Sequence, residues 1–188
     1  VSAELRSRGR ESSPSALRWL WLSAFVIGFD QAVKALVVAR LQLFERREWL
    51  PVLEITRLHN RGAAFSFLSD ASGWQKYFFV SLALAISAGI VLWLSRLRLA
   101  HSALLGSGLA LILGGALGNV IDRVARGHVV DFIHFHWFDS WYFPAFNVAD
   151  SSITIGAGLL ILDSLLESRR ARPAAPASGE PPSGPGSA

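Results

Sequence analysis

Four apolar blocks dominate this chain: roughly Leu17–Val38, Trp74–Leu94, Ala103–Val120 and Val148–Leu166. Each is close to the ~20 residues an α-helix needs to cross a hydrocarbon core of ~30 Å. Ala103–Val120 carries no charge, and the other three carry too few to make the polar face of a surface helix. A chain of 188 residues has too little polar sequence to wrap four such helices in a soluble shell. The expected fold is therefore an all-α membrane protein with four transmembrane helices. The first block is read as a retained span and not as a cleaved signal peptide. It is long, it contains Asp30 and Lys34, and no clean small-residue cleavage site follows it.

Composition removes several functions. With no Cys, disulfides, thiol catalysis and thiolate metal sites are excluded. The net charge is only +4, and the basic residues flank the spans, which lipid headgroups explain better than nucleic acid does. Arg6, Arg8, Arg10 and Arg18 precede or open span one, Arg96 and Arg98 lie between spans two and three, and Arg169, Arg170 and Arg172 follow span four. That pattern places both termini and the middle link in the cytoplasm, although Arg40, Arg46, Arg47, Arg57 and Arg61 sit on the opposite side. Residues 1–16 and the Pro/Ala-rich stretch 169–188 read as disordered cytoplasmic ends around a membrane domain at 17–168.

The outer segments are too elaborate to be simple links. In residues 39–73, Val52, Leu53 and Ile55 suggest short strands, Asn60 and Gly62 a turn, and "AAFSF" a weak alternation after it. The residues thus predict short strands around a turn outside the membrane. Residues 124–147 hold Phe132, Phe135, Trp137, Phe138, Trp141, Tyr142 and Phe143, read as an interfacial helix or loop at headgroup depth.

Polar groups inside apolar blocks mark the candidate site. Asp30 and Lys34, at i and i+4, share a helix face and read as a buried pair or as part of a cavity. Gly106, Gly108, Gly114, Gly115 and Gly118 allow close helix approach, and Asn119, Asp122 and Arg123 fall within about one turn of each other. Asn147 is placed to cap span four, with Asp150 in its first turn. Asp122, Asp131, Asp139 and Asp150 thus gather near one membrane face.

Which reaction this serves is narrowed by what is missing. No "GxSxG" elbow is present. His134 and Asp139 make an "HxxxxD" spacing that chance produces easily, and His128, His134 and His136 with Asp131 offer metal donors without an "HExxH" frame. Two carboxylates, one ionised and one protonated, can hydrolyse a peptide bond unaided. A small transporter or channel component, using the intramembrane carboxylates as an ion path, is the alternative. The residues alone do not separate Asp122 from Asp131.

Five blocks carry a resemblance: "FDQAVK" (Phe29 to Lys34), "HNRGAAFSF" (His59 to Phe67), "GGALGNVIDR" (Gly114 to Arg123), "GHVVDFI" (Gly127 to Ile133) and "FNVADSSI" (Phe146 to Ile153). In order and layout the chain resembles lipoprotein signal peptidase, the bacterial signal peptidase II, over about residues 17–168. The resemblance implies an aspartic endopeptidase with Asp131 and Asp150 catalytic. Asn60, Asn119, Arg123 and Asn147 would line the substrate site, while Asp30, Lys34 and Asp122 support it. Residues 39–73 would form a small extracytoplasmic β-cradle, and the aromatic stretch an interfacial lid. It further implies cleavage of diacylglyceryl-modified prolipoproteins just before the lipidated Cys, by a monomer needing no cofactor or metal. The enzyme would sit in the bacterial cytoplasmic membrane among phospholipids, with its active site near the outer face.

Overall fold

A computed structural model describes residues 16–62, 74–97, 103–138 and 140–170. The "AAFSF" alternation, Asp139, Arg98 and both chain ends lie outside the described residues. A single 3₁₀ turn, Ala16–Trp19, leads into α1 (Leu20–Arg40), followed by β1 (Arg46–Leu50), β2 (Leu53–Asn60) and α2 (Trp74–Arg96). Then come α3 (Ala103–Arg126), β3 (Val129–Trp137), the short β4 (Trp141–Tyr142) and α4 (Val148–Arg170). All four helices are long and apolar enough to cross a membrane.

α3 is the central helix, in contact with each of the other three, and it buries far more of itself than they do. Its small residues explain the closeness. A Cβ on Gly118 would stand 2.9 Å from the Asp30 Oδ2, and one on Gly115 would collide with the Ala149 carbonyl of α4. The outer helices instead present large apolar side chains outward, among them Phe25, Phe29, Leu82, Leu92, Ile161 and Leu165. Such a surface is unfavourable in water and suits lipid.

The strands form one antiparallel sheet in the order β1-β2-β3-β4. β1 and β2 connect α1 to α2, while β3 and β4 connect α3 to α4, so the sheet caps one end of the bundle. Val37 of α1 and Leu41 just past its end pack on Val130 and Phe132 of β3 and fix the sheet to that end. A second cluster, Ile90, Leu94, Leu109 and Leu113, closes the bundle at the other end.

Two expectations are corrected. The aromatic segment is neither a helix nor an irregular loop, because its core is β3. From Phe132 onward its side chains alternate between buried and more exposed, the two-residue period of a strand. The sequence hid this because both faces of the strand carry rings. The third span also continues past Val120, so that Asp122, Arg123 and Arg126 are all helical.

Candidate active site

The site grows from the start of α4. The Asn147 Oδ1 accepts the Asp150 backbone N–H at 2.9 Å, and the Asp150 Oδ2 accepts the Asn147 backbone N–H at 3.3 Å. This reciprocal cap satisfies amides that a helix start leaves unpaired, and it fixes both side chains. Their remaining polar atoms point across the sheet–bundle junction. The Asn147 Nδ2 donates to the Asp131 Oδ1 at 2.7 Å, and the Asp150 Oδ1 accepts from the Asn119 Nδ2 at 2.8 Å.

On the sheet, Asp131 receives a second amide. The Asn60 Nδ2 donates to the Asp131 Oδ2 at 2.9 Å, while the Asn60 Oδ1 accepts the Gly62 N–H at 2.8 Å. Gly62, at φ +112°, makes that turn with a backbone that side-chain-bearing residues avoid. Two carboxylates are thus held by three asparagine amides drawn from β2, α3 and the α4 cap. Burial pushes the Asp131 carboxyl up to about 6, and the Asp150 charge adds to the effect against the opposing amide bonds and Lys34.

Beneath this pair lies a second polar cluster. The fully buried Lys34 Nζ meets the Asp30 Oδ2 at 2.8 Å, the Asp122 Oδ2 at 2.9 Å and the Asn119 Oδ1 at 3.1 Å. The three donors of one ammonium are thereby used. Asp30 also accepts the Ala149 backbone N–H at 2.9 Å, tying α1 to the first turn of α4. Asp122 is bonded by Arg126, accepts from the Gln31 Nε2 at 3.1 Å, and accepts the Val130 backbone N–H at 3.1 Å. Asp122 therefore positions the residue before Asp131 and is itself fully enclosed. Asp122 and Asp131, which the sequence left equal, thus differ in their surroundings: Asp122 is ion-paired to Lys34 and Arg126, and Asp131 is held by asparagine amides.

Every expected site residue among those described converges here. Arg123 lies beside the pair, donating to the Asn119 carbonyl at 3.3 Å with its guanidinium 5.2 Å from the Phe79 ring centre. Gln31 and Arg126 were missed. Their signals were available: Gln31 is a polar residue in a span next to Asp30, and Arg126 stands at i+4 from Asp122.

The histidines are dispersed. His128 stacks on His59 at 3.6 Å, and the His134 Nδ1 lies 3.3 Å from the Glu54 Oε2. Strand alternation puts His134 and His136 on the face of β3 opposite Asp131, which separates the donors a metal would need together. Among the described residues, no group of three or more His, Asp or Glu is arranged to hold a metal. The spans' buried ionisable groups likewise collect from mid-bundle to the sheet end, and nothing favours the ion path of a transporter.

Comparison with known proteins agrees with this architecture. The family model described as Signal peptidase (SPase) II matches residues 22–166. A lipoprotein signal peptidase of Pseudomonas fluorescens is 53% identical over 148 residues, covering 78% of this chain and 86% of its own. That of Haemophilus influenzae is 48% identical over 159 residues, covering 85% and 92%. A solved structure, described as a bacterial membrane enzyme structure by the in meso method at 2.3 Å resolution, superposes with a TM-score of 0.72. Its identity is 32%, over 84% of this chain and 93% of that one. The chain belongs to the signal peptidase II family.

Proposed function

We infer that Asp131 and Asp150 are the carboxylate pair with which this chain, an aspartic endopeptidase, cleaves signal peptides from diacylglyceryl-modified prolipoproteins immediately before the lipidated Cys. The observation that carries the assignment is how the two acids are held. Each is oriented by asparagine amides, while Asp30 and Asp122 spend their charge on Lys34. An aspartate already locked in an ion pair is a poor proton acceptor. One held by neutral amides can exchange a proton with substrate or water.

With one carboxyl ionised and the other protonated, the ionised member takes a proton from water as the water attacks the scissile carbonyl. The protonated member donates to the developing oxyanion. The tetrahedral intermediate then collapses as a proton passes to the departing Cys nitrogen, giving a signal peptide carboxylate and a free lipidated Cys amine. No acyl-enzyme forms, and no metal or cofactor takes part. Asn60, Asn119 and Asn147 hold the acids, and Arg123 lines the substrate's approach.

The peptidase unit spans 17–168, with both chain ends on the cytoplasmic side, and works as a monomer in bacterial cytoplasmic membrane phospholipid. That all its acids and amides come from one chain supports the monomer. The basic flanks support cytoplasmic termini, with the sheet and carboxylates at the outer face. The test is single-turnover cleavage of a diacylglyceryl-modified precursor by purified protein, with products weighed by mass spectrometry. Cleavage before the lipidated Cys, lost in folded Asp131→Asn and Asp150→Asn, is expected. Wild-type rates from Asp131→Asn beside a folded but inert Asp122→Asn would overturn the pair.

A further inference from the structure

Beyond the carboxylates, the same face of the sheet carries a cavity the reaction has not used. It measures about 640 Å³, and its walls include Val52, Phe135, Trp137, Trp141, Phe143 and Phe146. Apolar cavities of ~300–1,000 Å³ are the size that holds small organic ligands. Several of its rings are open to the surroundings, Trp137 being 62% and Trp141 58% exposed.

Its position is fixed relative to the acids. Asp131, Ile133, Phe135 and Trp137 share one face of β3 by the strand's alternation. Phe135 is four residues from Asp131, hence roughly 13 Å away at about 3.3 Å per residue. Phe146 forms the other wall and is bonded to the strand between them. Its carbonyl accepts the Ile133 N–H at 2.8 Å, and its N–H donates to the Ile133 carbonyl at 3.0 Å. The next residue, Asn147, holds Asp131. Cavity and carboxylates are thus linked through β3 and the Phe146–Asn147 segment.

We propose that this aromatic cavity receives the ester-proximal part of one acyl chain of the substrate's diacylglyceryl group. The inference rests on the proposed cleavage reaction. From the scissile carbonyl carbon to the acyl carbonyl carbon of an S-diacylglyceryl Cys there are about eight covalent bonds, a reach of roughly 10 Å at about 1.3 Å of advance per bond. An acyl chain anchored at the carboxylates therefore begins beside Phe135. Hydrophobic transfer is not the whole gain, because bilayer lipid is as apolar as the cavity. A scissile bond at the sheet, however, lifts the first methylenes of the chain out of the hydrocarbon core. Aromatic walls shield them there and fix the thioether's direction. A bulk phospholipid has no such anchor, which is why the substrate's own chain is the favoured occupant.

The experiment uses the full-length Asp131→Asn/Asp150→Asn double variant in vesicles of phosphatidylethanolamine and phosphatidylglycerol. The precursor carries a diazirine close to the ester end of an acyl chain. Photolysis is expected to label residues 135–146, with unlabelled diacylglyceryl precursor competing the label away. Labelling confined to the helices would overturn the proposal. So would equal labelling of 135–146 by diazirine-bearing phosphatidylglycerol that precursor does not displace, since the cavity would then be a general bilayer contact. In the active enzyme, Val52→Trp, which fills the cavity, and Trp141→Ala, which opens it, should each shrink the preference in kcat/KM for a dipalmitoyl over a dibutanoyl precursor by about tenfold. An unchanged preference in both counts against the cavity. Should the wild type cleave neither precursor, the proposed reaction fails, and the photolabelling still decides the cavity.

Discussion

Two pairs of aspartates stand at the same end of this bundle and differ in what neutralises them. Asp30 and Asp122 share the buried Lys34, and the part-exposed Arg126 adds a second cation on Asp122. Asp131 and Asp150 are held instead by the amides of Asn60, Asn119 and Asn147. Amides orient a carboxylate without supplying a full opposing charge. The first pair is thereby tied into direct ion pairs, and the second is oriented by neutral donors. On the proposed assignment, buried charge in this membrane bundle serves structure in one case and chemistry in the other.

The largest effect should come from asking both pairs to do without a carboxylate. Asp131→Asn and Asp150→Asn keep the shape and remove the proton exchange, so the single-turnover rate should fall by at least about 10²–10⁴-fold in protein that remains folded. Acids that act as a unit often lose more, and the double variant should then be little worse than either single one. Asp122→Asn should lower the yield of folded protein and leave residual cleavage in what folds. Its fully buried Oδ2 accepts the Val130 N–H and thereby holds the strand carrying Asp131. A well-folded Asp122→Asn with no activity would dissolve the distinction between the pairs.

Next in size is the loss of the shared cation. Lys34→Ala leaves Asp122 buried with Arg126 and takes from Asp30 its Lys34 ion pair, a change that typically costs about 3–5 kcal/mol. Asp30→Asn combined with Lys34→Ala should recover part of that loss, because one of the stranded charges is gone. Fluorescence-detected size exclusion across a temperature ramp reads the order. Equal losses in the single and double variants would mean that the cluster contributes no pairing energy.

Much of this was legible in the sequence, for identifiable reasons. A span of ~20 apolar residues has one reading, so all four helices were expected, and an ion at i and i+4 within a span has few reasons to exist. Asn147 and Asp150 read as a cap because capping chemistry is local. The register of β3 on β2 was not legible, since Leu58 pairs with Asp131 across two intervening helices and nothing local encodes that pairing. For the same reason the residues left Asp122 and Asp131 equal, and the family resemblance alone preferred Asp131. What distinguishes their surroundings is a strand pairing and a lysine two helices away in chain order. The aromatic strand was misread because rings on both of its faces masked a period of two.

A smaller effect follows from the raised Asp131 carboxyl. Its ordinary value is near 3.8, and burial, with the Asp150 charge adding, raises it to about 6 in the folded protein. Between those values the native state binds more protons than the unfolded chain, so stability falls as pH rises through the window. Above it the native state carries a deficit of up to about 3 kcal/mol. Asp131→Asn does not titrate, so its apparent melting temperature should exceed the wild type's at pH 7.5, and the gap should close as pH falls below about 4. The gain will be below the full figure, because an Asn side chain offers one acceptor where the Asn60 and Asn147 amides now find two. A gap that widens toward low pH would mean that the carboxylate is stabilised by its site.

The smallest effect is expected on the far face of β3, and it sharpens the comparison by contrast. His134 lies within a strand only three residues from Asp131, closer in sequence than Asn60, Asn147 or Asp150. Three is odd, so the strand turns it to the opposite face, where it lies 3.3 Å from Glu54 and stacks on Tyr142 at 5.2 Å. His134→Gln removes one hydrogen-bonded contact, typically worth about 0.5–1.5 kcal/mol, and should leave the cleavage rate within about threefold of wild type. Exhaustive chelation should change neither quantity, because two carboxylates and water complete the reaction without a Lewis acid. Activity lost to a chelator and restored by Zn²⁺, together with a collapse in His134→Gln, would show that the histidine face takes part in catalysis. Distance along the strand would then count for more than the face presented, and the amide-held pair would no longer account for the chemistry by itself.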